Sequence, residues 1–142
     1  MSIVQRPLLL AMLVAASTSI SCTPRRTVES KTAGSFAGQW QGDSPGLHLA
    51  LTVVQTAGSV TGDGTYEVRD PAQIGCGGET IPQKGPVSLT GLLAADTLSG
   101  RLHFSGDWSP PYRASLAGAD SIKGNLMSVD RGGCSLVLTR QR

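Results

Sequence analysis

The 142-residue sequence predicts an all-β fold: an eight-stranded antiparallel up-and-down barrel that follows an export signal and a flexible tether. Three observations point there. Beyond residue 35, apolar side chains recur at every second position in eight successive stretches, as expected of strands with one dry and one wet face. The chain carries 18 Gly and 8 Pro with only 4% aromatic residues, a composition suited to short strands and turns. No stretch beyond the N-terminal segment sustains a 3.6-residue period. The length fits one ordinary domain. A two-sheet β-sandwich is the alternative architecture.

Phe36, Gly38 and Trp40 open the series on a strand over 36–41. Leu47, Leu49, Leu51 and Val53 share one face of 47–55, and Val60, Tyr66 and Val68 share one face of 59–68 with Gly62 and Gly64. The same alternation runs through 87–93 (Val87, Leu89, Leu93), 97–105 (Leu98, Leu102, Phe104) and 112–118 (Tyr112, Ala114, Leu116). It closes with 121–128 (Ile122, Leu126) and 134–140 (Leu136, Leu138). The connections are mostly short enough for hairpins, 69–86 being the exception. Eight consecutive strands with one apolar face bury it by curling shut, which also removes exposed sheet edges. The short strands and polar outer face argue against a membrane-spanning barrel.

The first residues form a separate unit. Arg6 precedes an apolar run from Pro7 to Ala16, then Ser17 to Ser21 leads into Cys22. A short positive segment, an apolar segment and small residues before a cut make a secretory signal, and the apolar run is too short to span a bilayer. Cys22 directly after Ser21 resembles a bacterial lipobox, although Ser19 stands where the pattern usually has an aliphatic residue. The resemblance implies a diacylglyceryl group on Cys22, which becomes the mature N-terminus anchored in a membrane. Thr23 in the sorting position, where Asp would retain the protein, implies delivery to the outer membrane. The alternative is plain cleavage with a spare cysteine. The chain thus divides into a signal peptide over 1–21, a lipidated cysteine with a polar tether over 22–35, and the barrel over 36–142. Arg25, Arg26 and Lys31 in the tether suit either anionic headgroups or plain solvent.

Charge excludes one class of partner. The chain has 12 Lys+Arg against 10 Asp+Glu, and residues 36–142 hold 8 against 9, a net of −1. Such a domain has no field to steer a nucleic acid. With Cys22 lipidated, Cys76 and Cys134 remain, an even pair in an exported chain, where disulfides persist. In an up-and-down barrel the loops after strands 3 and 7 lie at the same rim, so a Cys76–Cys134 bridge is feasible. A reduced or metal-bound pair is the alternative, with no His beside either cysteine.

Side chains that often carry chemistry do not converge. His48 and His103 fall in the outward register, and Arg101 stands beside His103 on the same face. Asp43, Asp70, Asp107 and Asp130 each occupy a loop of the disulfide rim, where together they can hold a cation. Asp96 and Asp120 occupy opposite-rim turns as well, as turn preference alone dictates. Gly75-Cys76-Gly77-Gly78 lacks the Lys-Ser/Thr ending of a phosphate loop. Trp108-Ser109-Pro110-Pro111-Tyr112 places an aromatic and two rigid prolines at the rim away from the tether. Exposed aromatics in loops favour contact with a partner, while a Trp folded over the mouth serves as a lid on the core. The long 69–86 loop shares that rim.

Gly38-Gln39-Trp40 on the first strand and Arg140 ending the last resemble the calycin group of barrels: lipocalins, fatty-acid-binding proteins and avidins. In that group a first-strand Trp packs beneath a basic residue from the last strand and plugs the closed end. Gly62-Asp63-Gly64-Thr65-Tyr66 resembles the Gly-Thr-Tyr stretch of avidins, but two Trp and no acid on the last strand do not support a biotin site. Small lipid-anchored barrels that inhibit secreted proteases are similar in size, anchor and single disulfide. The expected function is therefore a lipid-anchored envelope module that binds a small apolar ligand at or within the barrel. Leu49, Leu51, Leu89, Leu102 and Leu116 would line the interior, with Trp108, Tyr112 and Trp40 as ligand or partner contacts. The alternative is a protein-interaction module such as an inhibitor of a secreted hydrolase. No nucleophile–base set points to an enzyme, and no residue pattern calls for a metal or cofactor.

Overall fold

The computed structural model describes residues 34–74, 76, 81–128 and 132–142. The signal segment, Cys22 and most of the tether, together with Gly75, Gly77, Gly78 and Asp130, lie outside the described residues. Eight strands follow in order: β1 (Gly38–Ser44), β2 (Leu47–Thr56), β3 (Ser59–Val68), β4 (Lys84–Ala94), β5 (Thr97–Phe104), β6 (Pro111–Leu116), β7 (Ser121–Ser128) and β8 (Gly132–Arg140). Each pairs antiparallel with its sequence neighbour, and β8 returns to β1, so the sheet is a closed up-and-down barrel. The closing seam places Trp40 opposite Arg140 and Gly42 opposite Leu138.

Alternation sets the register. Leu47, Leu49, Leu51 and Val53 on β2 are buried, as are Val60, Tyr66 and Val68 on β3. Leu98, Leu102, Phe104, Ile122, Leu126, Leu136 and Leu138 join them in one core. Shifting any strand by one residue would turn its apolar set to water, which fixes the pairing. Gly64 lies where a Cβ would run into the Ala50 carbonyl of β2, so only glycine lets β2 and β3 approach there.

Boundaries differ from the sequence reading in a few places, each for a local reason. Phe36 is buried but precedes β1, because Gly38 adopts φ +138°, a conformation open to glycine. A side chain at Gly38 would also collide with the Arg140 guanidinium. β4 begins at Lys84 rather than at 87. Pro86 fits there because it pairs with Thr65 of β3 while the ladder to β5 starts only at Val87, leaving Pro86 on a locally free edge. β6 stops at Leu116, ahead of Gly118 at φ +86°.

The long connection after β3 is not a free loop. Val68 N–H donates to the Gln83 carbonyl at 2.7 Å, which closes the base of the loop. Asp70 caps a short 3₁₀ turn over Pro71–Gln73 by accepting from Ala72 N–H at 3.0 Å. Ile74 and Cys76 then fold inward and are buried. Cys76 is bridged to Cys134, 58 residues on, with the Cα atoms 5.8 Å apart. The cysteines thus staple the loop after β3 to the start of β8 at one rim. Closing a loop of that length in the unfolded chain is worth about 2–4 kcal/mol. The double variant Cys76→Ser/Cys134→Ser is expected to lose that amount in urea unfolding while keeping the far-ultraviolet signature of a sheet. An unchanged midpoint would show that the staple does not constrain the fold.

Candidate functional site

The barrel has two differently built ends. At the end where the chain enters, Trp40 is buried, and its indole N–H donates to the Phe36 carbonyl at 2.8 Å. The Arg140 guanidinium lies 4.2 Å from the centre of the Trp40 ring, a cation–π distance. The same guanidinium donates to the carbonyls of Ala37, Ser35 (2.7 Å) and Ala119 (3.1 Å). Its Nε also stands 3.7 Å from an Asp120 carboxylate oxygen. One side chain therefore joins the entering segment, β8 and the β6–β7 turn, and only a forked, planar cation has enough donors to do so. Trp40 spends both its ring face and its N–H inside this plug, so it presents no surface to a partner.

The opposite mouth is covered by aromatics. Trp108 stacks on Phe104 with ring centres 4.4 Å apart, and Tyr66 meets Phe104 edge-on at 5.1 Å. The loop between β5 and β6 folds back to make this lid. Phe104 N–H donates to the Trp108 carbonyl (3.1 Å), and Leu102 N–H donates to the Pro110 carbonyl (3.2 Å). Trp108 is partly buried: it packs against the core through Phe104 and keeps some exposure to solvent. Of the two expectations for this residue, the packing on Phe104 matches a lid on the core.

His103 and Arg101 acquire a role that strand alternation did not disclose. Arg101 donates to the Ser109 carbonyl at 2.8 Å, and His103 Nδ1 lies 3.2 Å from the Ser109 hydroxyl. The other His103 nitrogen meets the Thr90 hydroxyl at 3.2 Å. The pair thus clamps the lid loop against the outer wall. A Ser–His contact is half of a nucleophilic set, but here the far nitrogen meets a hydroxyl where catalysis wants an orienting carboxylate. The sequence signal was available in principle: two outward side chains at i and i+2, followed by a rigid Ser-Pro-Pro return.

Two acids of this rim, Asp70 and Asp43, have local duties. Asp70 caps its turn and also accepts from the Gln73 side-chain amide at 2.7 Å. Asp43 lies 2.9 Å from His48 and 3.2 Å from Arg69. Across β1 to β4, Asp43, His48, Glu67 and Lys84 stand in one cross-strand row, in which the opposite charges of Glu67 and Lys84 favour the register. His48, Glu67 and Lys84 also line a shallow groove of about 480 Å³ on the outer wall.

Tyr112, proposed from sequence as a contact residue, points inward and is buried. Its hydroxyl, like that of Tyr66, is buried with no hydrogen-bond partner among the described residues. Leu49, Leu51, Leu89 and Leu102 are buried in the same core, and Leu116 packs on it half-exposed. The chain matches no protein-family model and no curated protein.

Burial pushes the Tyr112 phenol well above the ordinary tyrosine range, because a phenolate would lose its water. The folded state therefore keeps a proton that the unfolded chain gives up. Stability is complete below about pH 10, the ordinary tyrosine value, and falls as the pH rises past it. Tyr112→Phe is expected to blunt this alkaline loss. With no hydrogen bond to forfeit, it changes stability at pH 7 by less than about 1 kcal/mol. Urea midpoints measured at pH 7 and above pH 10 check both halves. A large loss at pH 7 would mean that the hydroxyl is engaged.

Proposed function

We propose that this protein is a lipid-anchored envelope barrel that acts as a protein-interaction module through its disulfide rim. The observation that carries this reading is the lid: Trp108 is stacked on Phe104 yet only partly buried, in a loop pinned by Arg101 and His103. A fixed, half-exposed Trp beside a stapled loop gives a partner a preorganised anchor, which lowers the entropic cost of binding. Both ends of the barrel are covered by its own side chains, which favours a surface role over carriage of a ligand through an open mouth. The Trp40–Arg140 packing supports the resemblance to calycins, and the anchor on Cys22 with delivery to the outer membrane completes the proposal.

A second reading keeps the small apolar ligand. One observation favours it: two buried tyrosine hydroxyls without partners are unusual in a finished core, and a bound molecule inside the barrel would satisfy them.

The experiment is cross-linked capture from envelope extracts with the wild-type chain and a Trp108→Ala variant, read by mass spectrometry alongside native mass measurement of the purified chain. Loss of a specific partner by at least about 10-fold on Trp108→Ala, a typical hot-spot effect, is the expected result. Identical capture by both chains, together with a co-purified small molecule, would favour the second reading instead.

A further inference from the structure

The rim where the chain enters differs from the disulfide rim in the make-up of its turns. Its three hairpin connections are Ala57-Gly58, Ala95-Asp96 and Ala117-Gly118-Ala119-Asp120, small and mostly apolar, and their residues are exposed. The opposite rim, among the described residues, carries Asp70, Gln73, Asp107 and the Trp108 lid. Close to the first two turns, Val54 on β2 is 55% exposed and Leu92 on β4 is 68% exposed. Their cross-strand partners on β3 are Thr61 and Ser59, so the two apolar side chains flank one uncharged strip of wall. The two hairpins are joined by a Leu93 N–H to Gly58 carbonyl bond of 2.7 Å, which makes the strip one surface.

Backbone geometry adds an independent sign. Ala57 and Ala95 sit at φ +52° and +54°, where an L side chain is disfavoured and glycine is the usual choice. At both tips the chain accepts that strain and carries a methyl group outward.

The chain enters at this same rim. Ser35 and Ala37 are held by Arg140, and Phe36 N–H donates to the Gln55 side chain at 2.9 Å, next to the Ala57 turn. Eleven residues, 23–33, separate Gly34 from Cys22, a reach of roughly 40 Å at full extension. A barrel on such a tether meets the bilayer at high effective concentration, so a weak surface affinity is enough to orient it. Lys123, Arg140 and Arg142 lie toward this rim, with Asp120 bridged to both arginines. Toward the far rim stand Asp43, Glu67, Asp70 and Asp107 against Arg69 and Lys84. At the entry rim Asp96 and Asp120 set two negative charges against its three cations, while those far-rim residues sum to −2, so the entry rim is the less anionic of the two and repels an anionic leaflet less.

We propose that the entry rim rests on the phospholipid surface, with Leu92 and Val54 and the Ala57 and Ala95 tips seated at the headgroup–acyl boundary. This inference rests on the lipid-anchored reading of Cys22 and adds an orientation to it: the Trp108 lid points away from the membrane, toward whatever occupies the space beyond. A second copy of the chain could cover the same strip, and the test treats that as a contrary outcome.

The test uses the chain purified from membranes and reconstituted in vesicles of phosphatidylethanolamine and phosphatidylglycerol, with and without brominated acyl chains. Leu92→Trp places an exposed reporter at the strip, and the wild-type chain, with Trp108 at the far rim and Trp40 buried beneath Arg140, supplies the background emission to subtract. The expected result is emission from the Leu92→Trp chain that drops at least about 2-fold more on brominated lipid than wild-type emission does. In the Val54→Asp background that extra quenching should fall, since a charge at the boundary opposes seating. Equal quenching of the two chains, or shielding of the reporter by a dimer in lipid-free solution, would overturn the proposal. Mass measurement of the N-terminal peptide decides the anchor separately. A diacylated Cys22 without extra quenching sinks the orientation and leaves the anchor standing. An unmodified N-terminus with extra quenching on added vesicles does the reverse.

Discussion

The structure depends on closing one seam. β1 and β8 share four residue pairs, whereas β2 and β3 share ten, and the partners Trp40 and Arg140 are separated by nearly the whole described chain. Loop-closure entropy opposes such long-range pairing until other contacts repay it. Backbone bonds over so short a ladder supply part of this, buried Trp40 and Leu138 on the two strands add apolar contact, and Arg140 ties the seam to its surroundings. Its guanidinium covers Trp40 and donates to carbonyls on the entering segment and the β6–β7 turn. Without closure, β1 and β8 would become open edges and the inward leucines would face water.

From that seam the two ends take different characters. The entry end is sealed by a cation over an indole, with the chain threaded beneath it. The far end is sealed by the Tyr66–Phe104–Trp108 stack and braced by the Cys76–Cys134 staple. The first seal turns side chains inward and offers a partner nothing. The second leaves part of an aromatic ring in solvent on a clamped loop. Placing the aromatic lid at one end and the small, mostly apolar turns at the other gives the barrel a direction.

Much of this architecture is legible in the sequence because a half-buried strand writes its fold in a two-residue period. The alternation of Leu47, Leu49, Leu51 and Val53 marked β2 and its inward face together, and loop parity placed Cys76 and Cys134 at one rim. Where the signal is a conformation and not a pattern, the reading slipped. Gly38 at φ +138° delays β1 past Phe36, and Pro86 is admitted to β4 by a locally missing neighbour. Side-chain duties set by tertiary contact were the least visible. Arg101 and His103 look like idle outward residues until the Ser109 loop folds back on them. Tyr112 beside two prolines looks like a surface aromatic until β6 turns its ring into the core.

The central claim, that Arg140 holds the seam, is tested most directly by native-state amide exchange in an Arg140→Met variant, which keeps the apolar stem and removes the donors. The account predicts that amides of β1 and β8 exchange at least about tenfold faster than in the wild type while those of β3 and β4 keep their protection. Unchanged exchange along β1 and β8, or equal acceleration in every strand, would contradict it.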